Sequence, residues 1–492
     1  MTAGRWSAED RRFKVLLAPI LALGLGVRLA FVLIRQSRIE LGQGDAFWYH
    51  MQAKLVANGQ GFLNPFDYYL HGGIERPGAD HPPGFVVVLA ALDWIGIDGH
   101  FAQRIVMCFV GTISIAVIAI VGRRLAGPRV GLIAGFLAAV YPNIWINDGM
   151  LMVETVVVLS VALALWGMYR YLDRPTNWAV VGIAAALTAF GMVRPEAVVV
   201  FPVVVVPMIL ARRTLSWGTR LRHLVLAALV PILSFAPWVI YNLGRFEKPV
   251  FLSTGAGQTF AVGNCDLTFS GELIGYWTQE CLRPPHIEPP TDPDPSLRDP
   301  VYQEYAFDYI SEHRGELPKV LAARVARIWH LYRVDQSLVL DGYVEGREGG
   351  LPGNGFRLMR EAVWSYYVLV GLGIAGVVIL RRRRVPIYPL LSQPAIATFS
   401  ALISFGITRY RTGFEVTLVL AAAVALGAIC TAVFDQPDEV GSDGGVPSPD
   451  GADDGSGSGE SGGDASADVE AGDDEAGEDE PVEAVGSRSG GT

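Results

Sequence analysis

Long apolar runs, separated by short basic segments, occupy most of the first 434 residues. Residues 14–34, 105–122 and 362–380 are almost free of charge over the length that an α-helix needs to cross a hydrocarbon core about 30 Å thick. This distribution excludes a chain of two or three soluble domains. It predicts an all-α polytopic membrane protein.

About ten segments are predicted to span the membrane. They are residues 14–34, 101–122, 128–146 and 151–171, two helices joined by a tight turn at 194–196, and residues 223–243, 362–380, 386–407 and 414–434. With this assignment the basic clusters fall on one side, and Arg381–Arg384 is the strongest of them. Because Lys and Arg collect on the cytoplasmic side, both termini are predicted to be cytoplasmic in a plasma-membrane protein.

Residues 83–97 are apolar but short, and they contain Asp93. Counting them as a span would place Arg123 and Arg124 outside. They are therefore predicted to form a re-entrant or juxtamembrane helix within a first outer loop, residues 35–100.

The spans divide the rest of the chain. A cytoplasmic N-terminus (1–13) precedes an N-terminal transmembrane module (14–243), an outer loop (244–361) between spans seven and eight, and the C-terminal helices (362–434). An amphipathic helix is predicted near 301–332. Residues 435–492 hold eighteen acidic residues and one arginine among Gly and Ser, which predicts a disordered acidic cytoplasmic tail.

Two of the four cysteines, Cys265 and Cys281, lie close together in the polar outer loop. Their spacing suits a disulfide if that loop faces an oxidising compartment. The arginines lie in short groups between apolar segments, a pattern that gives no support for binding nucleic acid.

The first outer loop opens with an acid followed by aromatic residues, among them Asp45, Trp48 and Tyr49. A carboxylate there can accept a proton from a hydroxyl group, and aromatic faces can stack on sugar rings. An interfacial aromatic belt beside a helix-capping Asp45 explains the pattern equally well.

Further ionisable residues gather at the same predicted face. His81, before Pro82 and Pro83, could contact a phosphate, although a turn before a helix is the simpler explanation. Glu154, about one turn into a span, is a functional candidate because a carboxylate there is costly unless it is paired or hydrated. An ion pair of Arg194 with Glu154 or Glu196 that only joins helices is an equal alternative.

Arg409 and Arg411 lie in a short outer loop, against the cytoplasmic bias of the other arginines. Guanidinium groups at headgroup level suit a lipid-linked phosphate, and snorkelling is the alternative. The sequence has no H-E-x-x-H motif and no Cys/His cluster, so no metal and no other cofactor is predicted.

Several short motifs follow one another along the chain. They are Gly44-Asp45-x-x-x-Tyr49, His81-Pro82-Pro83-Gly84, Arg123-Arg124-Leu125, Glu154 at the start of the fourth helix, Arg194-Pro195-Glu196 and Thr408-Arg409-Tyr410-Arg411. Over about residues 10–434 the chain resembles bacterial members of the GT-C superfamily, in particular the family of dolichyl-phosphate-mannose protein mannosyltransferases and lipid A aminoarabinose transferases.

The resemblance implies a membrane glycosyltransferase that takes sugar from a polyprenyl-phosphate donor at the extracytoplasmic face. Asp45 corresponds to the catalytic base, with Glu154 beside it, and His81 to a residue associated with the lipid phosphate, which Arg194, Arg409 and Arg411 would also bind. Trp48 and Tyr49 would contact sugar or acceptor. The mannosyltransferases have an Asp-Glu pair where this chain has Asp45-Ala46, which argues against a protein acceptor relative to a glycan or lipid.

Two other classes of protein remain open from the sequence. A lipid or glycan flippase would transport the donor without cleaving it, and a non-catalytic scaffold of the same fold would tolerate substitution of Asp45.

Overall fold

The computed structural model describes residues 8–42, 44–343, 346–347 and 356–434, and the predicted acidic tail lies outside them. Within these residues the secondary structure is helical, apart from one isolated bridge between Leu63 and Pro77. The all-α prediction is confirmed.

The α-helices fall into a long set and a set of shorter elements. In chain order they are α1 (Ala8–Phe31), α2 (Asp45–Ala57), α3 (Pro65–Leu70), α4 (Gly84–Trp94), α5 (His100–Ala126), α6 (Pro128–Val140), α7 (Pro142–Trp145), α8 (Glu154–Asp173), α9 (Asn177–Gly191), α10 (Val206–Leu210), α11 (Trp217–Leu243), α12 (Ala256–Ala261), α13 (Asp266–Phe269), α14 (Pro295–Glu312), α15 (Leu317–Ile328), α16 (Val334–Tyr343), α17 (Arg357–Arg382), α18 (Tyr388–Ile403) and α19 (Thr412–Phe434).

Tighter or wider turns connect several of these helices. The 3₁₀ turns are Ile146–Gly149, Pro195–Val199, Gln279–Leu282 and Thr408–Arg411, and the π-helical turns are Val32–Gln36 and Phe201–Val205.

Six helices of the described chain are long and apolar enough to cross a membrane. They are α1 with its π-helical end, α5, α8, α11, α17, and α19 with the turn before it. The pair α6 and α7, bent by 64°, makes a seventh if it counts as one span. The multi-pass prediction is confirmed, whereas the count of ten stays a prediction because α9, Pro195–Leu210 and α18 are shorter than a full crossing.

The apolar segment 83–97 contains α4, which has only 11 residues. At about 1.5 Å per residue this helix is about 16 Å long, half of a hydrocarbon core. The backbone N–H of Gly84 donates to the Met192 carbonyl oxygen at 2.9 Å, and a β-carbon at Gly84 would lie only 2.7 Å from that oxygen. The close approach fixes the start of α4 beside the segment that leads to Arg194.

The bend between α6 and α7 is stabilised by a buried arginine of α1. Pro142 has no N–H, so the carbonyl of Ala138 loses its helical donor. The Arg28 guanidinium supplies donors to the carbonyl oxygens of Ala138 and Ala139, both at 3.4 Å, and its Nε contacts Asp148 Oδ2 at 2.6 Å. The contact between Arg28 and Asp148 fixes the irregular segment that leads into α8.

The segment that follows α11, as far as residue 343, contains the short helices α12 to α16 and a disulfide. Cys265 and Cys281 are bonded, as the sequence predicted, with Cα atoms 5.6 Å apart. Arg324 of α15 donates to the carbonyl of Gly263 at 2.8 Å and to Asn264 Oδ1 at 2.9 Å, which joins the disulfide-bonded loop to the helices.

The single amphipathic helix predicted near 301–332 is wrong in its extent. The structure has two helices there: α14 begins before residue 301, and residues 313–316 separate it from α15. Pro318 lies in the first turn of α15, where its missing N–H costs least, so a new helix starts there instead of continuing α14.

Candidate active site

Five of the ionisable residues named from the sequence form one chain of ion pairs. Arg409 Nη2 donates to Asp45 Oδ2 at 2.9 Å, and its Nε donates to Glu154 Oε1 at 3.0 Å. Arg194 Nη2 donates to the same Glu154 oxygen at 2.5 Å, and its Nη1 lies 3.9 Å from Glu196 Oε1. The Arg194–Glu154 pair that was an alternative explanation is therefore present, as part of a larger network.

This network borders a cavity of about 920 Å³ between the first outer loop, the outer loop after α11, and the α18–α19 connection. The predicted residues that line it are Asp45, Trp48, Tyr49, His81, Arg194 and Arg409. The structure thus brings together residues that lie more than 350 positions apart in the sequence.

Asp45, in the first turn of α2, is the accessible carboxylate of the network. Its side chain is 35 % exposed, and His81 Nε2 lies 3.7 Å from its Oδ1. Burial alone would raise its pKa, but the charges of Arg409 and His81 outweigh burial and hold the pKa below the ordinary 3.8. Asp45 is therefore ionised at neutral pH and can accept a hydrogen bond from a hydroxyl group.

Glu154 is the buried carboxylate of the network, with a side chain only 1 % exposed. It does not line the cavity. Its Oε1 binds both arginines, and its Oε2 has no hydrogen-bond partner among the described residues. Glu154 thus orients Arg194 and Arg409 from behind instead of reaching the cavity itself.

His81 lies between the rings of two aromatic residues of α2. The ring centre of Tyr49 is 4.9 Å from that of His81, and the ring centre of Trp48 is 5.7 Å away. Trp48 also donates from Nε1 to Gln52 Oε1 at 3.2 Å. Since Trp48 and Tyr49 are only 2 % and 3 % exposed, they offer little free surface to a ligand.

Arg411 is not brought to the cavity. Its Nε lies 2.6 Å from Glu415 Oε1, its Nη1 donates to the Ile328 carbonyl at 2.8 Å, and its guanidinium stacks 3.8 Å above the Tyr366 ring. Tyr141 donates to the other Glu415 oxygen at 2.8 Å. These contacts hold the Arg411 side chain in a separate buried cluster. Arg411 is therefore not proposed to bind the donor phosphate.

Sequence reasoning missed three residues of the cavity wall, Asp80, Trp277 and Asp299. Asp80 directly precedes His81, a position that could have drawn attention to it. Trp277 and Asp299 lie in a polar loop that contains many acids and aromatics, and only the tertiary structure selects them. Within the described ranges no three His, Cys, Asp or Glu side chains gather in a way that could hold a metal ion.

Several solved structures of membrane transferases are similar to the chain at low sequence identity. The oligosaccharyltransferase of Archaeoglobus fulgidus in the apo form is 14% identical, with a TM-score of 0.49 over 85% of this chain and 51% of that one. The oligosaccharyltransferase AglB from Archaeoglobus fulgidus, in complex with an inhibitory peptide and a dolichol-phosphate, is 16% identical, with a TM-score of 0.48 over 85% of this chain and 51% of that one. The chain thus spans about half the length of these archaeal structures.

ArnT from Cupriavidus metallidurans, bound to undecaprenyl phosphate, is 16% identical with a TM-score of 0.37 over 84% of this chain and 79% of that one. No curated protein matches the chain at a significant level.

A family model gives the match in sequence. Residues 80–241 match the dolichyl-phosphate-mannose-protein mannosyltransferase family. The matched segment contains His81, Glu154 and Arg194, whereas Asp45 and Arg409 lie on either side of it. The resemblance predicted from the motifs is therefore confirmed, and over residues 80–241 the chain is similar to the dolichyl-phosphate-mannose-protein mannosyltransferases.

Proposed function

We propose that this chain is a membrane glycosyltransferase that moves a sugar from a polyprenyl-phosphate donor to an acceptor hydroxyl at the extracytoplasmic face. The observation that carries the proposal is the Asp45 carboxylate, which is accessible from a large cavity, with Arg409 at 2.9 Å and His81 at 3.7 Å. A base for the acceptor and cations for a leaving phosphate thus lie side by side.

The reaction is a single displacement. Asp45 takes the proton of the acceptor hydroxyl while its oxygen forms a bond to the anomeric carbon of the donor sugar. The bond between that carbon and the phosphate oxygen breaks, and its electron pair stays on the polyprenyl phosphate. Arg409 and Arg194 stabilise the charge that develops there, and His81 assists.

Glu154 has a positioning role in this mechanism. It accepts from Nε of Arg409, so the terminal amino group of the guanidinium remains for Asp45 and for a phosphate in the cavity. A site for a single phosphate needs Arg194 and Arg409 close together, and these two cations repel each other. The negative charge of Glu154 offsets that repulsion.

Two observations support the extracytoplasmic face. The loop that contains the Cys265–Cys281 disulfide contributes Trp277 to the cavity wall, and disulfides persist in oxidising compartments. The basic cluster Arg381–Arg384 lies at the opposite end of α17 from the outer loop, as expected for a cytoplasmic end.

The donor class is tested with the full chain in lipid vesicles and a panel of radiolabelled polyprenyl-phosphate sugars. We expect label to leave the lipid phosphate and appear on an added acceptor. Arg409→Gln should lower transfer by about 100-fold or more, since it removes one charge-stabilising donor. Arg222→Gln, at an exposed position of α11 away from the cavity, is the matched control and should not change it.

Three results would contradict the proposal: no cleavage of any lipid-linked sugar, movement of the intact donor across the bilayer, or equal transfer by Arg409→Gln and the control. The second result would favour a flippase, and the third would remove Arg409 from the site.

A further inference from the structure

The cavity wall contains a second pair of carboxylates, Asp80 before α4 and Asp299 in α14, and donor binding does not use them. Asp80 Oδ1 accepts a hydrogen bond from Thr254 Oγ1 at 3.1 Å. Asp299 Oδ1, in α14, accepts from the backbone N–H groups of Gly257 at 2.8 Å and Gln258 at 3.3 Å. Both acids are thus held in place by the segment that precedes and begins α12.

Two glycines allow this segment to close against the acids. A β-carbon at Gly255 would lie 2.7 Å from the backbone oxygen of Asp80, and one at Gly257 would overlap the backbone oxygen of Asp299. The backbone N–H of Thr254 also donates to the Ala79 carbonyl at 2.8 Å. The two carboxylates are therefore part of a packed wall and not of a free surface loop.

Each carboxylate keeps one oxygen for a ligand. The hydrogen bonds of Asp80 and Asp299 all go to Oδ1, and within the part of the chain that the structure describes neither Oδ2 has a partner. Burial raises the pKa of Asp80, and it raises the pKa of Asp299 to about 6. Carboxylates in such surroundings are stabilised by hydrogen-bond donors, which the cavity contents would have to provide.

Aromatic residues of the same wall add a complementary surface. The Trp277 ring stacks on Tyr276 with centres 6.0 Å apart and an angle of 23°. Its Nε1–H is buried and has no hydrogen-bond partner among the described residues. Phe251, which is 64 % exposed, offers a second aromatic face at the cavity. Flat apolar faces beside carboxylate acceptors match the C–H faces and hydroxyl groups of a sugar.

We propose that Asp80, Asp299 and Trp277 form the acceptor subsite, and that the acceptor is a neutral carbohydrate whose hydroxyl groups donate to the two carboxylates. This inference rests on the proposed function, because it assigns the second substrate of the same cavity. A phosphorylated acceptor is disfavoured, since its charge would face two carboxylates at short range.

Binding to the purified full chain in lipid nanodiscs tests the assignment by saturation-transfer NMR. The probes are neutral hexose and pentose trisaccharides, the same trisaccharides with a terminal phosphate, and a serine-containing peptide. We expect a neutral trisaccharide to bind, and its phosphorylated counterpart to bind at least tenfold more weakly.

Matched variants locate the subsite. Asp299→Asn and Asp80→Asn keep the Oδ1 acceptor and the side-chain shape but remove the charge, and each should weaken binding of the neutral trisaccharide by about tenfold. Asp308→Asn, at an exposed position of the same helix α14, should leave it unchanged. Binding of undecaprenyl phosphate, the donor-side probe, should be the same in all three variants.

Unchanged trisaccharide binding in Asp299→Asn and Asp80→Asn, preferential binding of the phosphorylated sugar or the peptide, or no binding of any trisaccharide would overturn the acceptor assignment. Failure of the unmodified chain to bind undecaprenyl phosphate would instead contradict the proposed donor, so the two failures are distinguishable.

Discussion

At the scale of single residues, the Arg409 guanidinium contacts one carboxylate that is accessible and one that is buried. Asp45 is 35 % exposed, whereas Glu154 is 1 % exposed. A phosphate that enters the cavity can compete with Asp45 for the guanidinium, but it cannot reach the oxygen of Glu154. The geometry therefore lets donor binding release Asp45 for the acceptor while Arg409 stays oriented.

Replacement of Glu154 tests this positioning role. Glu154→Gln keeps the shape but leaves Arg194 and Arg409 without their shared negative partner, so donor binding and thermal stability should both fall. Glu154→Asp, which keeps the charge, should lose less of each. The checks are undecaprenyl phosphate affinity and the unfolding midpoint, and equal behaviour of Gln and Asp variants would argue against the role.

The pH dependence of transfer should follow Asp45. Its pKa is lowered below 3.8, so the folded state favours the ionised form. The stability from its ion pair is fully present above the unfolded pKa and is lost only as the pH falls through the lower folded pKa. Transfer rates in vesicles should therefore show no acid limb between about pH 5 and 8 from this group, as a pH–kcat profile measures.

An acid limb near pH 6 in kcat would contradict the assignment of Asp45 as the base. The carboxyl group of Asp299, whose pKa is raised to about 6, would then be the stronger candidate.

The sequence drew attention to the residues proposed for the donor side because they contrast with their surroundings. Asp45, His81, Arg194 and Arg409 are ionisable groups at the ends of apolar segments, where few others occur. Asp299 has no such contrast, because it lies among other acids in a polar loop. Arg411 shows the opposite error: it has the same local pattern as Arg409, but its side chain turns to Glu415.

At the scale of elements, the bend between α6 and α7 sets where α8 begins. The Arg28–Asp148 contact joins α1 to the irregular segment before α8, and both side chains are almost fully buried. Arg28→Met should destabilise the fold by about 3–5 kcal/mol, because it leaves a buried carboxylate unpaired. Unfolding in detergent micelles measures the change.

The double variant Arg28→Met with Asp148→Asn removes both charges and should recover part of that loss. If the double variant is as unstable as the sum of the single variants, the two side chains are not coupled in the way the structure indicates.

Element boundaries were predictable where apolar length decides them. The long spans α5, α11 and α17 follow the apolar runs of the sequence, with bounds a few residues wider. The prediction of one helix near 301–332 missed the break at residues 313–316, although Gly315 and Pro318 mark it in the sequence.

At the scale of the whole molecule, three distant parts of the chain enclose one cavity. The segment between α1 and α4 contributes Asp45, the proposed base, the α18–α19 connection contributes Arg409, and the disulfide-bonded loop contributes Trp277. The long apolar helices were predictable from the sequence, but the way these three segments close over one another depends on long-range contacts that no local pattern encodes.

The disulfide should stabilise the outer wall of the cavity. Closing a loop with a separation of 16 residues contributes about 3 kcal/mol in the entropy model, so Cys281→Ser should lower the unfolding midpoint. In the unreduced native chain neither Cys265 nor Cys281 should react with an alkylating reagent, and both should react after reduction and unfolding. Alkylation of either cysteine without reduction would show that the bond is absent.

The Asp45→Asn variant tests most directly whether Asp45 is the base, with sugar transfer and donor binding measured on the same preparation in lipid vesicles. The amide side chain of this variant would keep a hydrogen-bond acceptor for Arg409 but could not take the acceptor proton. The affinity of Asp45→Asn for undecaprenyl phosphate should stay within a few fold of that of the unmodified chain. Its rate of sugar transfer should fall by about 100-fold or more. Asp98→Asn, an exposed acid of the same outer loop, should change neither. Substantial sugar transfer by Asp45→Asn would show that Asp45 is not the base for the acceptor hydroxyl.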